Sequence, residues 1–586
     1  MKHVVVLLLI CCIAHQAVEA QVLPRGLSEQ EKRMLDEGFF RPAFNVPGEF
    51  HSTRSPVDPP RAIAEWEEMQ AIVITWAGYQ SILKEIVRYA KEEVVVIIVT
   101  PNESSVRTYL ESNDVDISEN VEFINTDFNS VWVRDYGANP VYLRDVDSLL
   151  LVDWIYNRPR PKDDVIPYAV AAHLGVPIYG TVEAPLDLVN TGGNFMSDGL
   201  GRGFSSKLVL TENGPGNQYG TSNHDENAVD AIMQQFMGID EYVKMTTLPY
   251  DGIHHIDMHM KMVDEGTLIV GQYPEGVADG PQIEANLQYV IENFKEATGR
   301  DYRTVRIQMP PDEFGRFPDD NGDYRTYANA MFINRTILVP TYEEKYDTTA
   351  LRIWRETMPG YHVVGINCNS IIPAGGALHC VIKEVGVHRP LWITHHQPGE
   401  VSADEPLTLE AQIRHISGIN TARIFYRISG STQFDSLDMQ FDADDIWSVT
   451  LPNPDTDVVY EYYFKARAQD GKVITRPLPA PEAFFRVNVE GTPTATDDLS
   501  GISSSMTVFP NPAGALTCVP VTSAKSASGV LMLYDLHGRL VKEIYSGIFP
   551  EGESTYFFDA GKIRPGYYIV ELKSDKYQVC KAVMIK

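Results

Sequence analysis

Cysteine is scarce in this chain. There are six cysteines among 586 residues, and two of them lie in an apolar stretch at the N-terminus, which leaves Cys368, Cys380, Cys518 and Cys580. Four thiols are too few for a disulfide framework, so the class of small cross-linked folds is excluded. Two interpretations stay open for Cys518 and Cys580: a bridge within the last domain, or two buried thiols.

Basic residues are also in short supply. The chain has 49 Lys and Arg against 79 Asp and Glu, and its formal net charge is −30. So negative a surface argues against nucleic acid and against anionic membrane surfaces as partners, because both repel it. A cationic substrate is compatible with this charge.

Long apolar runs are missing beyond the N-terminus, since no later stretch approaches the roughly 20 residues that a membrane-spanning helix needs. At the N-terminus, Lys2 precedes an apolar segment over residues 4–13, and Val18 and Ala20 stand at the cleavage positions. This order is typical of a signal peptide. We predict a signal peptide over residues 1–20 and a soluble, exported mature protein that begins near Gln21.

The length of the chain predicts three or four domains. Residues 21–60 are polar and rich in Pro and Arg, which indicates a propeptide or a loosely docked arm. Short apolar strands alternate with helical stretches over residues 61–388, a pattern that predicts an α/β domain. Residues 389–487 are predicted as an immunoglobulin-like β-sandwich, 488–505 as a linker and 506–586 as a small all-β domain.

Three short segments carry candidate reactive side chains. Cys380 follows the pair Gly375-Gly376, which presents a thiol on a turn. Residues 132–137 contain Asp135 beside an aromatic residue. Residues 254–259 alternate His255, Asp257 and His259, which would point the same way on a strand, because residues two apart share a face.

A thiol, a histidine and two carboxylates suit one kind of substrate. A protease triad needs a single orienting acid or amide, whereas two carboxylates match the forked N–H donors of a guanidinium group. We therefore expect Cys380 to attack a guanidinium carbon while Asp135 and Asp257 hold its nitrogens. His255 would protonate the departing ammonia and then activate water against the thiouronium intermediate.

Each segment also has a purely structural interpretation. A cysteine in an apolar run is commonly buried filler, and an Arg-Asp-Tyr sequence is commonly a surface or capping feature. The His-x-Asp-x-His pattern has ligand types that suit zinc, although neither other segment adds a further ligand. His254 and His259 are interpreted as structural, or as residues at the rim of the site.

A fourth segment, Asn157-Arg158-Pro159-Arg160-Pro161, bears on specificity. Each proline favours an extended conformation for the residue before it, so Arg158 and Arg160 should project to the same side as a double cation for a carboxylate. A surface loop neutralised by Asp163 and Asp164 is the equal alternative from the residues alone.

Together these segments resemble the agmatine deiminase and bacterial peptidylarginine deiminase family, within the guanidino-group-modifying superfamily, over about residues 61–384. The matching motifs are Ala64-Glu65-Trp66-Glu67, residues 132–137, Thr191-Gly192-Gly193-Asn194 with Asp198-Gly199, His255-Ile256-Asp257, Tyr327-Ala328-Asn329 and Leu378-His379-Cys380. The resemblance implies a five-bladed α/β propeller with the active site on its central axis.

The resemblance also implies a role for each matching residue. The nucleophile falls on Cys380, the general acid and base on His255, and the guanidinium-binding carboxylates on Asp135 and Asp257. Asn329 matches a residue that lines the same pocket, and Trp132 an aromatic beside the substrate. In the secreted enzymes a similar Arg-Pro-Arg-Pro segment grips the carboxylate of a C-terminal arginine, a role that transfers to Arg158 and Arg160. No cofactor is implied.

Two positions depart from the pattern of the secreted peptide enzymes. Gly252 stands where those enzymes have a tyrosine, and the pair Gly375-Gly376 is similar to the agmatine enzymes. Both lie near the backbone end of the substrate. The expected activity is therefore deimination of peptidyl-arginine, with agmatine or free arginine as the alternative substrate and a surface adhesin with an inactive propeller as the remote alternative.

The last 81 residues resemble the C-terminal sorting domain of type nine secretion substrates, through Val508-Phe509-Pro510-Asn511-Pro512, Tyr534-Asp535-Leu536-His537-Gly538 and Pro565-Gly566-Tyr567-Tyr568. This resemblance implies recognition by the secretion machinery and passage across the outer membrane. An exported enzyme meets arginine-containing peptides and proteins, which favours them as substrates. We expect a secreted or outer-membrane-surface location.

Overall fold

A computed structural model describes residues 23–38, 51–52, 54–399, 401–402, 406–452, 457–490, 505–514, 516–523, 525–574 and 578–586. The predicted signal peptide and most of the predicted linker lie outside the described residues. Within the described ranges, no helix combines the length and the apolar composition that crossing a membrane would require.

The chain first forms a short arm that ends in helix α1 (Glu29–Asp36). Ser28 begins this helix with a capping box, in which its side chain accepts a hydrogen bond from the Glu31 backbone N–H and the Glu31 carboxylate accepts one from the Ser28 backbone N–H. Leu35 and Glu31 are buried against the rest of the molecule. The arm is therefore an ordered element, and the prediction of a loosely docked segment is wrong for these residues.

Residues 51–386 alternate strands and helices. The strands are β1 (His51–Ser52), β2 (Pro60–Ala62), β3 (Met69–Thr75), β4 (Val95–Val99), β5 (Val121–Ile124), β6 (Asn139–Leu143), β7 (Leu149–Trp154), β8 (Ile178–Thr181), β9 (Met196–Ser197), β10 (Arg202–Ser206), β11 (Glu241–Met245), β12 (Met260–Asp264), β13 (Thr267–Gln272), β14 (Arg303–Gln308), β15 (Met331–Ile333), β16 (Thr336–Thr341), β17 (His362–Asn367) and β18 (Lys383–Gly386). The helices are α2 (Gln80–Ala90), α3 (Glu103–Ser112), α4 (Val133–Tyr136), α5 (Ile166–Leu174), α6 (Leu208–Asn213), α7 (Glu226–Met237), α8 (Gly280–Asn293) and α9 (Glu344–Thr357).

These strands form five sheets, with the strand orders β1-β8-β7-β6-β2, β11-β10-β9, β12-β13-β14, β15-β16-β17 and β18-β3-β4-β5. Each sheet contains the same unit: an antiparallel pair, a crossover helix, and a third strand parallel to the second. In the fifth unit, β18 from the end of this part pairs with β3 from its beginning, so the two ends close on each other. The central strands are buried on both faces, which explains their unbroken apolar sequences.

A short turn precedes the first strand of every unit. Four of these turns are helical, namely α4 before β6 and the 3₁₀ turns Gly192–Asn194 before β9, Ile256–Met258 before β12 and His379–Val381 before β18. Residues 327–329 occupy the same place before β15. Since the units repeat, these five turns are equivalent positions of one repeated structure.

Residues 392–490 are all β and form two sheets. The strands are β19 (Trp392–Thr394), β20 (Val401–Ser402), β21 (Thr408–Arg414), β22 (Ile419–Ile428), β23 (Asp435–Asp438), β24 (Gln440–Phe441), β25 (Ile446–Thr450), β26 (Val458–Ala468), β27 (Val473–Arg476) and β28 (Phe485–Glu490). One sheet has the order β19-β21-β25-β24 and the other β20-β28-β26-β22-β23, with β27 beside β26. Apolar side chains of both sheets share one core.

The tail is also all β, with strands β29 (Ser505–Met506), β30 (Leu516–Ser523), β31 (Ala527–Asp535), β32 (Leu540–Phe549), β33 (Gly552–Asp559), β34 (Gly566–Ser574) and β35 (Gln578–Ile585). They form the sheets β29-β30-β33 and β32-β31-β34-β35. The tail packs on the α/β part, where the Arg352 guanidinium lies 3.4 Å from the centre of the Phe509 ring. Cys518 is a buried free thiol and Cys580 an exposed one, so neither interpretation of this pair holds.

A buried ion pair joins the sandwich to the α/β part. Arg476 Nη2 lies 2.6 Å from Glu265 Oε2, and both side chains are less than a tenth exposed. We expect Glu265→Gln to destabilise the protein by about 3 kcal/mol, because it leaves the Arg476 charge buried without its carboxylate. Thermal unfolding measures this as a lowered Tm. Asp127→Asn, which breaks the exposed Lys162–Asp127 pair, should shift Tm little, and an equal shift for both variants would contradict the prediction.

Candidate active site

The five turns bring the predicted site residues together. Gly193, Asp257 and Cys380 each lie three residues before the first strand of their units, while Asn329 lies two and Asp135 four residues before theirs. All five residues are buried. Residues spread over about 250 positions of the chain thus meet at one point, because the repeated unit places each turn at the same end of its sheet.

The centre of this point is occupied by Arg25, from the N-terminal arm. Its guanidinium pairs with Asp135 in a forked arrangement, with Nε 2.9 Å from Oδ2 and Nη2 3.0 Å from Oδ1. Nη2 also lies 3.2 and 3.1 Å from the two carboxylate oxygens of Asp257. The Arg25 side chain is fully buried. Two carboxylates thus bind one guanidinium group, the arrangement that the sequence predicted for a substrate.

The charges of this cluster hold both aspartates ionised. Burial alone would raise their pKa values, but Arg25 and His255 hold the pKa of Asp135 well below its usual range. For Asp257 the charges of Arg25 and His379 outweigh burial and lower the pKa to about 2. The pocket is therefore a dianionic site in a low-dielectric setting, where a single cation is strongly favoured.

His255 faces the same nitrogen of the guanidinium. Its Nδ1 lies 2.7 Å from Arg25 Nη2 and 3.3 Å from Asp135 Oδ1, and its Nε2 lies 3.0 Å from Thr191 Oγ1. Burial and the Arg25 charge lower the pKa of His255, although Asp135 opposes them. The ring is thus fixed at both nitrogens and is placed to exchange a proton with Nη2.

Cys380 lies beside this cluster. Its Sγ is 3.4 Å from Asn329 Oδ1 and 3.8 Å from Asp257 Oδ2, and it accepts a hydrogen bond of 3.4 Å from the Ala377 backbone N–H. Burial raises the pKa of the thiol well above its usual range, and the Arg25 charge acts in the opposite direction. A cation in the pocket therefore favours the thiolate.

Two glycines make room for this arrangement. A Cβ on Gly193 would lie 1.9 Å from Arg25 Nη2, and one on Gly376 would lie 2.7 Å from the Trp132 ring and 2.9 Å from Cys380 Sγ. Both contacts are closer than atoms can approach, so any side chain here would fill the pocket. Gly376 therefore lets Trp132 and the thiol lie side by side.

Two residues that support Asp257 have no role assigned from the sequence. His379 Nδ1 lies 2.8 Å from Asp257 Oδ2, and its Nε2 lies 2.8 Å from Glu65 Oε2. Glu65 in turn pairs with Lys261 at 2.5 Å. Both residues stand inside matched motifs, but only the fold shows that they form a chain of hydrogen bonds behind the carboxylate.

Trp132, Arg158 and Arg160 hold the backbone of the arm. Trp132 Nε1 donates a hydrogen bond to the carbonyl of Leu23, and Arg158 Nε donates one of 3.1 Å to the carbonyl of Arg25. Arg160 donates to the carbonyls on either side of Arg25 and pairs with the Glu31 carboxylate at 2.7 Å. The two arginines thus converge on one peptide segment.

The strand expected at residues 254–259 is wrong. Residues Ile256–Met258 form a 3₁₀ turn, so His259 does not share a face with His255 and Asp257. Both ring nitrogens of His259 are buried without a hydrogen-bond partner among the described residues. His254 lies on the other side of the turn, with a positive φ of 61°. Within the described ranges, no group of three or more His, Cys, Asp or Glu side chains is arranged to hold a metal ion.

Glu212 supports the segment that carries Arg158. Its Oε1 accepts hydrogen bonds from Asn157 Nδ2 at 2.7 Å and from Tyr219 OH at 3.1 Å. Burial raises the pKa of Glu212 to about 7, although the hydrogen bond from Asn157 and the charge of Arg158 oppose the shift. This carboxyl group is therefore neutral in mildly acidic solution and becomes a buried anion above neutrality.

A pH dependence of stability follows. The pKa of Glu212 in the folded protein is about 7, above its ordinary value near 4.5. The stability contributed by the neutral carboxyl group is therefore complete below pH 4.5, and it is lost as the pH rises from there through 7. The loss is on the order of 3 kcal/mol. We expect Glu212→Gln to raise Tm relative to wild type at pH 8 and to match it near pH 4.5. Exposed Glu119→Gln should follow wild type, and an equal difference at both pH values would contradict this assignment.

Two family models match this chain. Residues 61–385 match the family model "Porphyromonas-type peptidyl-arginine deiminase", and residues 507–586 match "Secretion system C-terminal sorting domain". The second match indicates a secreted or cell-surface protein that engages secretion machinery.

Among curated relatives, a protein of Legionella pneumophila (strain Paris), named as a candidate agmatine deiminase, is 24% identical over 320 residues, which cover 52% of this chain and 85% of that protein. A solved structure of another candidate agmatine deiminase covers 58% of this chain and 100% of its own, at 18% identity and a TM-score of 0.51, a likeness of fold. The C. jejuni agmatine deiminase covers 59% of this chain and 99% of its own, at 20% identity and a TM-score of 0.46. Since the family model spans more than half of the sequence, the chain belongs to the Porphyromonas-type peptidyl-arginine deiminase family.

Proposed function

We propose that this enzyme deiminates the side chains of arginine residues in peptides, converting them to citrulline and releasing ammonia. The observation that carries the proposal is Arg25, whose guanidinium, on a peptide backbone, fills the pocket between Asp135 and Asp257. Its contacts stand in for those of a substrate arginine. Hydrolysis of an amidine C–N bond is the reaction class of the family.

We assign one step of the proposed reaction to each residue. Cys380 Sγ attacks the guanidinium carbon, the C–N bond to Nη2 breaks, and His255 gives its proton to that nitrogen, which leaves as ammonia. The product is a thiouronium group bound to Cys380. His255 then accepts one proton from water, and the oxygen adds to the same carbon. The C–S bond breaks to return the thiolate, and the remaining hydroxyl proton passes to solvent, which leaves the neutral urea of citrulline.

Asp135 and Asp257 act by position and charge. They hold the guanidinium plane against the thiol, and their ionised state keeps the positive charge of the reacting group in the pocket. The substrate also activates its own nucleophile, because a cation in the pocket lowers the pKa that burial raises at Cys380. Asn329 and the Ala377 backbone N–H fix the position of the sulfur.

Contacts to the peptide backbone favour peptides over agmatine, which has no backbone. Trp132, Arg158 and Arg160 donate hydrogen bonds to main-chain carbonyls of the arm, and Arg160 also contacts Glu31 and the Tyr156 hydroxyl. Arg158 faces the carbonyl of Arg25 itself, where a C-terminal arginine would have its carboxylate. A double cation at that end supports a preference for C-terminal arginine. Agmatine or free arginine is the second candidate, favoured by the pair Gly375-Gly376.

We also propose an overall arrangement. The five repeated units of residues 61–388 would be the blades of a five-bladed propeller, with the five turns on its axis. Residues 389–487 would be an immunoglobulin-like domain and 506–586 the sorting domain, after a signal peptide over residues 1–20. The closure of β18 on β3 supports the ring.

Removing the nucleophile tests the chemistry. Because Arg25 occupies the pocket, the assay uses both the wild-type chain and the chain with Arg25→Ala. We expect Cys380→Ser to lower the rate of citrulline formation by at least roughly a thousandfold in either background, since a hydroxyl is a far weaker nucleophile here. Cys580→Ser, which changes an exposed thiol, should leave the rate unchanged. Citrulline formation that persists in Cys380→Ser would contradict the mechanism.

Removing one backbone-binding arginine tests the substrate. In the Arg25→Ala background, Arg158→Ala should lower kcat/KM for a peptide ending in arginine by roughly tenfold to a hundredfold, the worth of a charge-assisted hydrogen bond. Activity on agmatine should change little, because agmatine has no carboxylate. The matched control is Lys162→Ala, an exposed cation of the same loop. An equal loss on both substrates would favour the small-guanidine alternative.

A further inference from the structure

The N-terminal arm occupies the active site in the manner of a bound peptide. The Arg25 backbone N–H donates a hydrogen bond of 2.8 Å to the Ala374 carbonyl, and the carbonyls of four successive residues, 23–26, accept hydrogen bonds from the body of the protein. The arginine side chain enters the pocket from the middle of this segment, so both sides of the residue are held.

A second anchor lies six residues further along the arm, at Glu31. Glu31, in the first turn of α1, forms a buried pair with Arg160, and the same carboxylate completes the capping box at Ser28. Leu35 is buried one turn later. Helix α1 thus fixes the arm beside the pocket, which raises the effective concentration of Arg25 there.

Occupation of the pocket by the arm excludes a second guanidinium. Arg25 is fully buried. Asp135, Asp257 and His255 all contact its Nε or Nη2 atoms. The charge of Arg25 already offsets part of the negative charge of Asp135 and Asp257, so a second cation would be attracted less strongly. The space beside Gly193 is also filled, by Arg25 Nη2. Substrate can bind only when Arg25 leaves.

We propose that residues 23–36 are an intramolecular pseudosubstrate that blocks the active site in cis, and that activity requires displacement of this arm. That the arm inhibits an enzyme rests on the proposed function, but the presence of Arg25 in the pocket can be measured without turnover. The proposal requires that Arg25 is not itself converted to citrulline in the blocked state. The arm then limits the enzyme as a tethered competitor, because the apparent affinity for substrate falls by the fraction of molecules whose pocket is open.

The test compares full-length chains with Arg25→Ala, Arg25→Lys and the matched control Arg33→Ala, which removes an exposed arginine of the same helix. The probe is a chloroacetamidine, a small cation that alkylates a thiol in a guanidinium pocket, and mass spectrometry follows its addition to Cys380. We expect alkylation at least tenfold faster in Arg25→Ala than in wild type or Arg33→Ala, with Arg25→Lys between them, since lysine keeps the charge but loses the fork. A peptide with the sequence of residues 23–36 should restore slow alkylation of Arg25→Ala.

Glu31→Gln is a second release variant, for use if Arg25→Ala does not fold. It weakens the Glu31–Arg160 pair but keeps Arg25, and we expect it to speed alkylation of Cys380. Equal alkylation rates in wild type and the release variants would overturn the pseudosubstrate, and so would citrulline found at position 25 of the purified wild-type chain. Faster alkylation without citrulline formation on any substrate would uphold the block and refute the proposed function. The two proposals therefore fail separately.

Discussion

Two carboxylates buried side by side are the constraint on which the rest of this site depends. Asp135 and Asp257 stay ionised although both are removed from water, and such a pair persists only with a cation between them and hydrogen bonds behind them. Arg25 supplies the cation, while His379, backed by Glu65 and Lys261, supports Asp257 from behind. In the proposed function, the same requirement makes the pocket selective for a guanidinium and favours the Cys380 thiolate when that group is bound; in the proposed pseudosubstrate, it also holds the arm in the site.

The repeated unit explains how the chain builds such a site. In each unit a short turn precedes the first strand of the sheet. The five turns bring an acid, a pair of glycines, a histidine with a second acid, an amide and a thiol to one point. No strand or helix has to be distorted for this purpose, because the turns lie at the ends of well-packed elements. The buried sheets therefore provide rigidity, and the turns provide the chemistry.

Much of this could be read from the residues. The family resemblance based on six motifs is confirmed by the family model. The predicted order, alternating strands and helices followed by segments of strands alone, is observed. The strand expected at residues 254–259 was wrong because alternation of polar residues is also compatible with a tight turn, and spacing alone does not separate the two. The polar composition of the arm predicts loose docking. Its docking instead depends on buried partners of Arg25 and Glu31 that lie more than a hundred residues away in the chain.

The sequence by itself determined the candidate reactive groups: a thiol after a glycine pair, a histidine, two aspartates and a double arginine, whose types favour guanidinium chemistry. It also determined the sorting domain, through local motifs that need no long-range contacts. Only the tertiary structure decided what supports these groups and what fills the pocket, since hydrogen bonds such as Glu65–His379 and Arg25–Asp135 join residues far apart in the chain. Their energy depends on burial and distance, and neither quantity exists until the five units have closed around one point.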